Sequence, residues 1–193
     1  MTTPRTLVAI GASLGGLRAV SMLLSALPGD FAAALLVAQH RRADVDSSLV
    51  QLLAQRCVLP VLEPDDKTSL LGGHVYVAPA GYHLLVEGST VALSIDEPVN
   101  FARPSIDVLF ETAARAYRQS AVGILLTGSS EDGAQGLGAI RRYGGRTIVQ
   151  DPDEAESPVA PRAALRLGVA DRTLNLAEIA DLLVQLGRRP PAR

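Results

Sequence analysis

The stretch VAIGASLGGLRAV, residues 8–20, passes from an apolar segment through a glycine-rich turn into a helical pattern. An apolar run without polar alternation is typical of a strand covered on both faces, and apolar positions three and four apart are typical of an amphipathic helix. Ser13 lies at the tip of the turn between them. Such a turn either holds a phosphate at the start of the helix or carries a serine nucleophile.

The same alternation of strand and helix continues along most of the chain. We expect buried strands at residues 6–11, 33–39, 121–127 and 146–150, and helices at residues 15–27, 46–56, 103–119, 133–144 and 176–187. Helix starts are indicated by Asp46 or Ser47 as a cap, by Pro104 in a first turn, and by Asn175 with Glu178 three residues later.

Residues 72–96 have a different pattern, with three short strand-like runs separated by APAG and EGST. This rhythm favours a β-hairpin insertion or an antiparallel sheet edge. Together the elements predict an α/β fold, doubly wound, with a mostly parallel sheet, helices on both faces and a β-hairpin insertion. In such a sheet the functional loops lie at the carboxyl ends of the strands.

Composition excludes several classes of protein. The chain has 193 residues, of which 48% are hydrophobic, and we expect one domain over residues 1–193. A formal net charge of -2 gives no electrostatic sign of a nucleic-acid partner. The single cysteine, Cys57, excludes an internal disulfide. Without a secretory leader or a long apolar run, we expect a cytoplasmic protein that does not insert directly into a membrane.

The glycine turn fits a nucleophile better than a phosphate cradle. The dinucleotide fingerprint needs glycine at its first, third and sixth positions, whereas Gly11 and Gly16 flank Ser13 at the middle position. The P-loop pattern GxxxxGK[ST] is absent from the sequence. Residues 11–15, GASLG, instead match GxSxG, whose helix start can supply amides for an oxyanion. A plain structural turn explains the five-residue match equally well.

A serine nucleophile needs a base and a group that orients the base, and two strand ends offer them. His40 follows the second strand directly, and Asp132 lies in the turn after the strand at 121–127. His74 and His83 belong to the region 72–96, where surface or packing roles are commoner. Asp132 is also interpretable as the cap of the helix that follows it, and a cap and a catalytic carboxylate are not exclusive.

Several sequence blocks, taken in order, resemble the catalytic domain of the CheB protein-glutamate methylesterases of bacterial chemotaxis. They cover roughly residues 6–185 and read VAIGASLGG, QH, GHVYVAPAGYHL, RPSIDVLF, ILLTGSSEDGAQGL, GGRTIVQD and PRAAL. The resemblance implies Ser13 as nucleophile, His40 as base and Asp132 as its orienting carboxylate. It further implies an oxyanion held by the backbone amides of Leu14 and Ser129, and no metal or organic cofactor.

The resemblance implies hydrolysis of glutamate methyl esters on the methylated cytoplasmic helices of chemoreceptors, with glutamine deamidation as a secondary activity. The sequence departs from the family at Ser129 and Ser130, where LTGMG is usual. It also departs in SPVAPRAAL, where FGMPR is usual: Pro161 and Arg162 are retained, and a changed crevice wall is expected. The family's usual amino-terminal receiver domain is not expected here, so a separate response regulator acting in trans would supply control. The alternatives are a non-catalytic module that binds receptors or signalling proteins and, more remotely, a dinucleotide-binding oxidoreductase.

Overall fold

The computed structural model describes residues 4–41 and 48–187. The strands are β1 (Leu7–Ala12), β2 (Ala34–Gln39), β3 (Val61–Leu62), β4 (Val75–Val77), β5 (His83–Glu87), β6 (Thr90–Ser94), β7 (Ala121–Leu125), β8 (Arg146–Gln150) and β9 (Arg172–Leu174). The helices are α1 (Gly16–Ser25), α2 (Ser48–Ala54), α3 (Ile106–Tyr117), α4 (Ala134–Arg142), α5 (Val159–Arg166) and α6 (Leu176–Gly187).

A seven-stranded sheet in the order β3-β4-β2-β1-β7-β8-β9 forms the centre of the fold. Every neighbouring pair within it is parallel. Strands β5 and β6 form a separate antiparallel hairpin. The central strands β1 and β2 are buried along their whole length, as expected for strands covered on both faces. The predicted α/β class, with its mostly parallel sheet and hairpin insertion, is confirmed.

Apolar side chains pack on both faces of the sheet in two separate cores. One core joins the sheet to α1, α2 and α6 through residues such as Leu23, Leu53 and Leu183. The other joins it to α3, α4, α5 and the β5–β6 hairpin through residues such as Phe110 and Leu84. The sheet is therefore a rigid middle layer, and loops that leave its carboxyl edge depart toward opposite faces.

The structure differs from the sequence expectation in several elements. The run at β4 does not belong to a hairpin, because it pairs in parallel with β2 and β3. Strands β3 and β9 and helix α5 were not among the predicted elements. Pro104 lies outside α3, whose cap is Ser105, with the Ser105 side chain accepting from the Val108 amide. The proposed caps of α2, Asp46 and Ser47, lie outside the described residues.

The last helix begins as its sequence predicts. The Asn175 side chain accepts a hydrogen bond from the Glu178 amide at 2.9 Å, and the Glu178 carboxylate accepts one from the Asn175 amide at 2.9 Å. This reciprocal capping box satisfies two amides that the start of a helix otherwise leaves free. None of the helices within residues 4–41 and 48–187 has both the length and the apolar character that a bilayer span requires.

Gly11, near the end of β1, allows α3 to approach the sheet closely. A Cβ atom at this position would lie only 2.1 Å from Cγ2 of Ile106, the first residue of α3. Only glycine leaves room for that contact. The start of α3 is thereby brought beside the carboxyl ends of β1 and β7, which lie next to each other in the sheet.

Candidate active site

The turn after β1 is held in place by hydrogen bonds from two neighbouring strands. The Ser13 amide donates to the Thr127 carbonyl at 2.9 Å, beyond the end of β7. The Gln39 side-chain amide, at the end of β2, donates to the Ser13 carbonyl at 2.8 Å. Gly15 in the turn has a φ of 79°, in the left-handed region that favours glycine. The Ser13 side chain is half-buried at a fixed position where β1 passes into α1.

His40 and Asp132 form a close pair although 92 positions separate them in sequence. The His40 amide donates to the Ala12 carbonyl at 2.9 Å, which places the ring beside the Ser13 turn. Nε2 of His40 lies 2.7 Å from Oδ2 of Asp132, and the two side chains are 15% and 0% exposed. An ionised carboxylate accepts from Nε2–H and leaves Nδ1 as the unprotonated ring nitrogen.

Asp132 lies at the amino end of α3 and accepts hydrogen bonds from that segment. Oδ2 accepts from the Ile106 amide at 2.7 Å, and Oδ1 from the Ser105 hydroxyl at 2.9 Å and the Asp107 amide at 3.2 Å. Oδ1 also accepts from the Asn100 side-chain amide at 3.0 Å. Burial alone would raise the pKa of Asp132, but hydrogen bonds from His40, Asn100 and Ile106 outweigh it and hold the pKa below its usual value.

The interpretation of Asp132 as the cap of the helix that follows it is wrong. The cap residue of α4 is Gly133, which makes no side-chain capping bond. Asp107 from α3 takes that role, because its Oδ1 accepts from the Gly133 amide at 2.9 Å and the Gly136 amide at 2.7 Å. The two carboxylates therefore cap each other's neighbouring helix. Asp132, which precedes α4, accepts hydrogen bonds at the start of α3, and Asp107 of α3 accepts hydrogen bonds at the start of α4.

Asp107 is a buried acid close to a second one. Its Oδ2 accepts from the Asn100 side-chain amide at 2.8 Å, so one amide group bridges both carboxylates. Burial, together with the negative charge of Asp132, raises the pKa of Asp107 to about 6, against the lowering effect of the amides that it accepts from. Asn100, Ser105 and Asp107 were not predicted as site residues. The sequence signal that could have identified Asp107 is its charge at a position of α3 that is otherwise occupied by buried apolar residues.

A cleft of about 1060 Å³ is lined by all the candidate residues except the buried Asp132. Ser13 and His40 both line it, as do the two proposed oxyanion donors, Leu14 and Ser129. The amides of Leu14 and Ser129 donate to no acceptor among the described residues, so both are available to a ligand. The cleft continues between α1 and α2 along Leu17, Arg18, Met22, Leu52 and Arg56, and no acidic residue of the described chain lines it.

Ser13 and His40 share this cleft without a hydrogen bond between the serine hydroxyl and the imidazole. In sites without substrate, such a bond is often long and tightens only in the complex. All three strand ends meet where the connections from β1 and β7 depart toward opposite faces of the sheet, which is the position where doubly wound folds bind ligands. The arrangement supplies a hydroxyl, an oriented base and free amides, which are the groups that acyl transfer through a serine requires.

The other two histidines lie outside the cleft that contains Ser13. His83 is buried and accepts from the Ser105 amide at 3.2 Å, so it supports the residue that binds Asp132. His74 hydrogen-bonds the Gly72 carbonyl at 3.1 Å and stacks on Tyr76, away from the cleft. Residues 157–161, where a changed crevice wall is expected, line neither of the two clefts, and Ser157 hydrogen-bonds to Thr127 and Gly128. The effect of this segment on substrate fit stays a prediction.

The described residues offer no metal site. Within residues 4–41 and 48–187, no three His, Cys, Asp or Glu side chains are grouped closely enough to hold an ion. The expectation that no cofactor takes part stays a prediction.

Comparisons with known proteins agree with this architecture. The protein is 43% identical over 180 residues to a putative protein-glutamate methylesterase/protein-glutamine glutaminase of Leptospira interrogans, covering 93% of each chain. It is 42% identical over 189 residues to the protein-glutamate methylesterase/protein-glutamine glutaminase of Bordetella parapertussis, covering 95% of this chain and 54% of the relative. The chain therefore spans about half the length of the Bordetella protein.

A solved structure and a family model complete the comparison. The crystal structure of the Thermotoga maritima CheB methylesterase catalytic domain matches with a TM-score of 0.89 and 31% identity, covering 94% of this chain and 98% of that one. The family model described as CheB methylesterase matches residues 8–183, which include all the candidate site residues and the whole sheet except Leu7. The chain belongs to the CheB methylesterase family.

Proposed function

We propose that this chain hydrolyses glutamate γ-methyl esters on the cytoplasmic helices of chemoreceptors. The observation that carries the proposal is the cleft shared by Ser13 and His40, in which the ring is fixed to the buried Asp132 at 2.7 Å. The names of the Leptospira and Bordetella relatives give the ester and amide classes of substrate. Deamidation of receptor glutamine uses the same acyl chemistry and is a secondary proposal.

In the first half of the reaction, the Ser13 hydroxyl oxygen attacks the ester carbonyl carbon while Nδ1 of His40 takes the proton. Nδ1 is the base because Nε2 is already bound to Asp132. The carboxylate fixes the tautomer and stabilises the imidazolium that forms. The negative charge on the former carbonyl oxygen is accepted by the free amides of Leu14 and Ser129.

The second half returns the enzyme to its starting state. The tetrahedral intermediate breaks its bond to the methoxy oxygen, which takes the proton from His40 and leaves as methanol. A water molecule then attacks the acyl-serine carbonyl as His40 removes a proton from it. Collapse of this second intermediate releases the glutamate carboxylate and returns the proton to the Ser13 oxygen.

A fluorophosphonate probe tests the proposed nucleophile. We expect one phosphonyl adduct by intact mass, located on Ser13 by peptide mapping, absent in Ser13→Ala and strongly slowed in His40→Ala. Ser94→Ala and His74→Ala are matched controls outside the cleft and should react as the parent protein does. An unreactive but folded protein would favour the non-catalytic binding module instead, and an adduct on another serine would refute the assignment.

A further inference from the structure

A tight turn beside the site contains two consecutive residues in an unfavourable backbone conformation. Val99 and Ala102 exchange backbone hydrogen bonds, Val99 N–H to Ala102 O at 3.2 Å and Ala102 N–H to Val99 O at 2.9 Å. Between them Asn100 has a φ of 52° and Phe101 a φ of 61°. Two central residues of positive φ in a two-residue connection define a type I′ turn, whose favoured sequence is Asn-Gly.

Phe101 therefore occupies the place where glycine is preferred. A bulky residue at positive φ is strained, and such strain persists only where the surroundings impose it. The ring gains nothing from packing in return, because Phe101 is 106% exposed. Single exposed apolar residues are ordinary, but a strained backbone that holds a fully exposed aromatic ring is not explained by the stability of the fold.

Hydrogen bonds attach this turn to the two buried carboxylates, Asp132 and Asp107. The Asn100 side-chain amide donates to Oδ1 of Asp132 at 3.0 Å and to Oδ2 of Asp107 at 2.8 Å. Asn is among the residues that tolerate the left-handed region, so it can be an anchor there. The position of the next residue, Phe101, is thereby set relative to the carboxylate that orients His40.

Phe101 forms part of a second cleft, of about 490 Å³. Its lining also includes Arg41, Pro98 and Arg103. His40 lines this cleft as well as the one that contains Ser13. A substrate helix that is bound at Ser13 and also crosses His40 would enter the second cleft, which contains Phe101.

We propose that Phe101 is a specificity-determining contact of the proposed methylesterase, packing against an apolar side chain next to the esterified glutamate on the substrate helix. This inference rests on the proposed function. Residues three and four positions apart lie on the same face of a helix, about 5–6 Å from each other. The proposal places an apolar residue one turn from the ester against Phe101 while the ester lies at Ser13.

Two substrates separate this contact from the chemistry. One is a synthetic helical peptide with a central glutamate γ-methyl ester and leucines one turn away on either side. The other is the same esterified glutamate with its amino and carboxyl groups blocked, which is too small to reach Phe101. Methanol release gives kcat/KM for both, and the ratio of peptide to small ester is the measured quantity.

We expect Phe101→Ala to lower that ratio by about tenfold, as for an aromatic anchor, and Phe101→Leu to lower it less. Val58→Ala, which shortens another exposed apolar side chain that lines neither cleft, should leave the ratio unchanged. Phe101→Gly relieves the backbone strain, so it should lower the ratio while raising Tm. If the ring instead had a structural role, Phe101→Gly would lower Tm.

The inference is overturned if Phe101→Ala and Phe101→Gly keep the ratio within twofold of the parent while the parent cleaves both substrates. A third substrate, the same peptide with alanines in place of the two leucines, gives the preference for leucine. The inference is equally overturned if the parent and Phe101→Ala show the same preference for the leucine peptide over the alanine peptide. A parent protein that releases methanol from neither substrate overturns the proposed function itself. The three results are distinct.

Discussion

The buried carboxylate of Asp132 connects four parts of the chain at the scale of single residues. It accepts from His40, from the Asn100 side chain and from the first residues of α3, and each of these hydrogen bonds favours the ionised form. A carboxylate with this environment holds the imidazole in one tautomer and pairs with the imidazolium. We therefore expect Asp132 to affect the reaction more than ligand binding.

Asp132→Asn should lower kcat for methanol release by roughly 10⁴-fold, because the ring loses the tautomer that leaves Nδ1 free. KM should change little, since the side chain is fully buried and does not line the cleft. Steady-state kinetics on the esterified peptide measure both quantities, with the exposed Asp153→Asn as the control. A variant that retains more than a tenth of the parent kcat would contradict the assigned role.

Asp107 titrates in an accessible range, because burial raises its pKa to about 6. A carboxyl whose pKa is higher in the folded state binds protons more tightly there, so the protein loses stability as the pH rises from about 4 to about 6. Asp107→Asn removes this titration. Its Tm relative to the parent should therefore increase between pH 4 and pH 6, as followed by circular dichroism. A constant difference across that range would show that Asp107 does not titrate there.

At the scale of elements, the close contact between β1 and α3 positions the donors that bind Asp132. Gly11→Ala would place its Cβ 2.1 Å from Cγ2 of Ile106, so α3 must move. We expect a loss of about 1–3 kcal/mol in the free energy of unfolding and a fall in kcat. Urea denaturation measures the first and methanol release the second.

The control for this substitution is Gly29→Ala, because a Cβ there meets no atom within 4 Å. Combining Gly11→Ala with Ile106→Ala removes the clashing methyl group, so the double variant should lose less stability than the sum of the two single losses. If the two losses in the free energy of unfolding are strictly additive, the alanine at position 11 does not clash with Ile106.

The sequence predicts long elements better than short ones. The strands β1, β2, β7 and β8 are recognisable because each is a continuous apolar run, and the capping box of α6 marks its start. The two-residue β3 and three-residue β9 are too short to show a period. Helix α5 was missed because Pro158 precedes it and Pro161 interrupts its pattern, although proline is tolerated in a first turn.

The candidate site is also predictable from the sequence only in part. Ser13, His40 and Asp132 follow strands whose ends are predictable, so their meeting could be inferred before the fold was known. The Asn100 turn and the exchange of capping carboxylates between α3 and α4 could not, because both depend on how two helices pack over the sheet. The single-domain organisation of residues 1–193, without a receiver domain, and control by a response regulator in trans stay predictions.

On the scale of the whole molecule, charge is distributed unevenly around the cleft. The protein has a formal net charge of -2, yet Arg18 and Arg56 line the cleft and no acidic side chain of the described residues does. Such a surface attracts a substrate that carries carboxylates beside the ester. The expected substrate is therefore a helix with further unesterified glutamates.

Replacing Arg18 and Arg56 by glutamine should lower kcat/KM for a peptide with flanking glutamates by about twofold per arginine, since rim charges contribute modestly. The effect should shrink at high salt and vanish for a peptide with flanking glutamines. Arg172→Gln, on the exposed part of β9, is the control. An equal effect on both peptides would assign the arginines to packing and not to charge.

Methanol release from methylated receptor helices is the direct measure of whether Ser13 hydrolyses a receptor methyl ester. We predict that the parent protein releases methanol and regenerates the glutamate carboxylate, and that Ser13→Ala, folded to the same Tm, is slower by at least about 10³-fold. Release of methanol by Ser13→Ala at the parent rate would contradict the assignment of Ser13 as nucleophile. No release of methanol by the parent protein would contradict the proposed methylesterase activity.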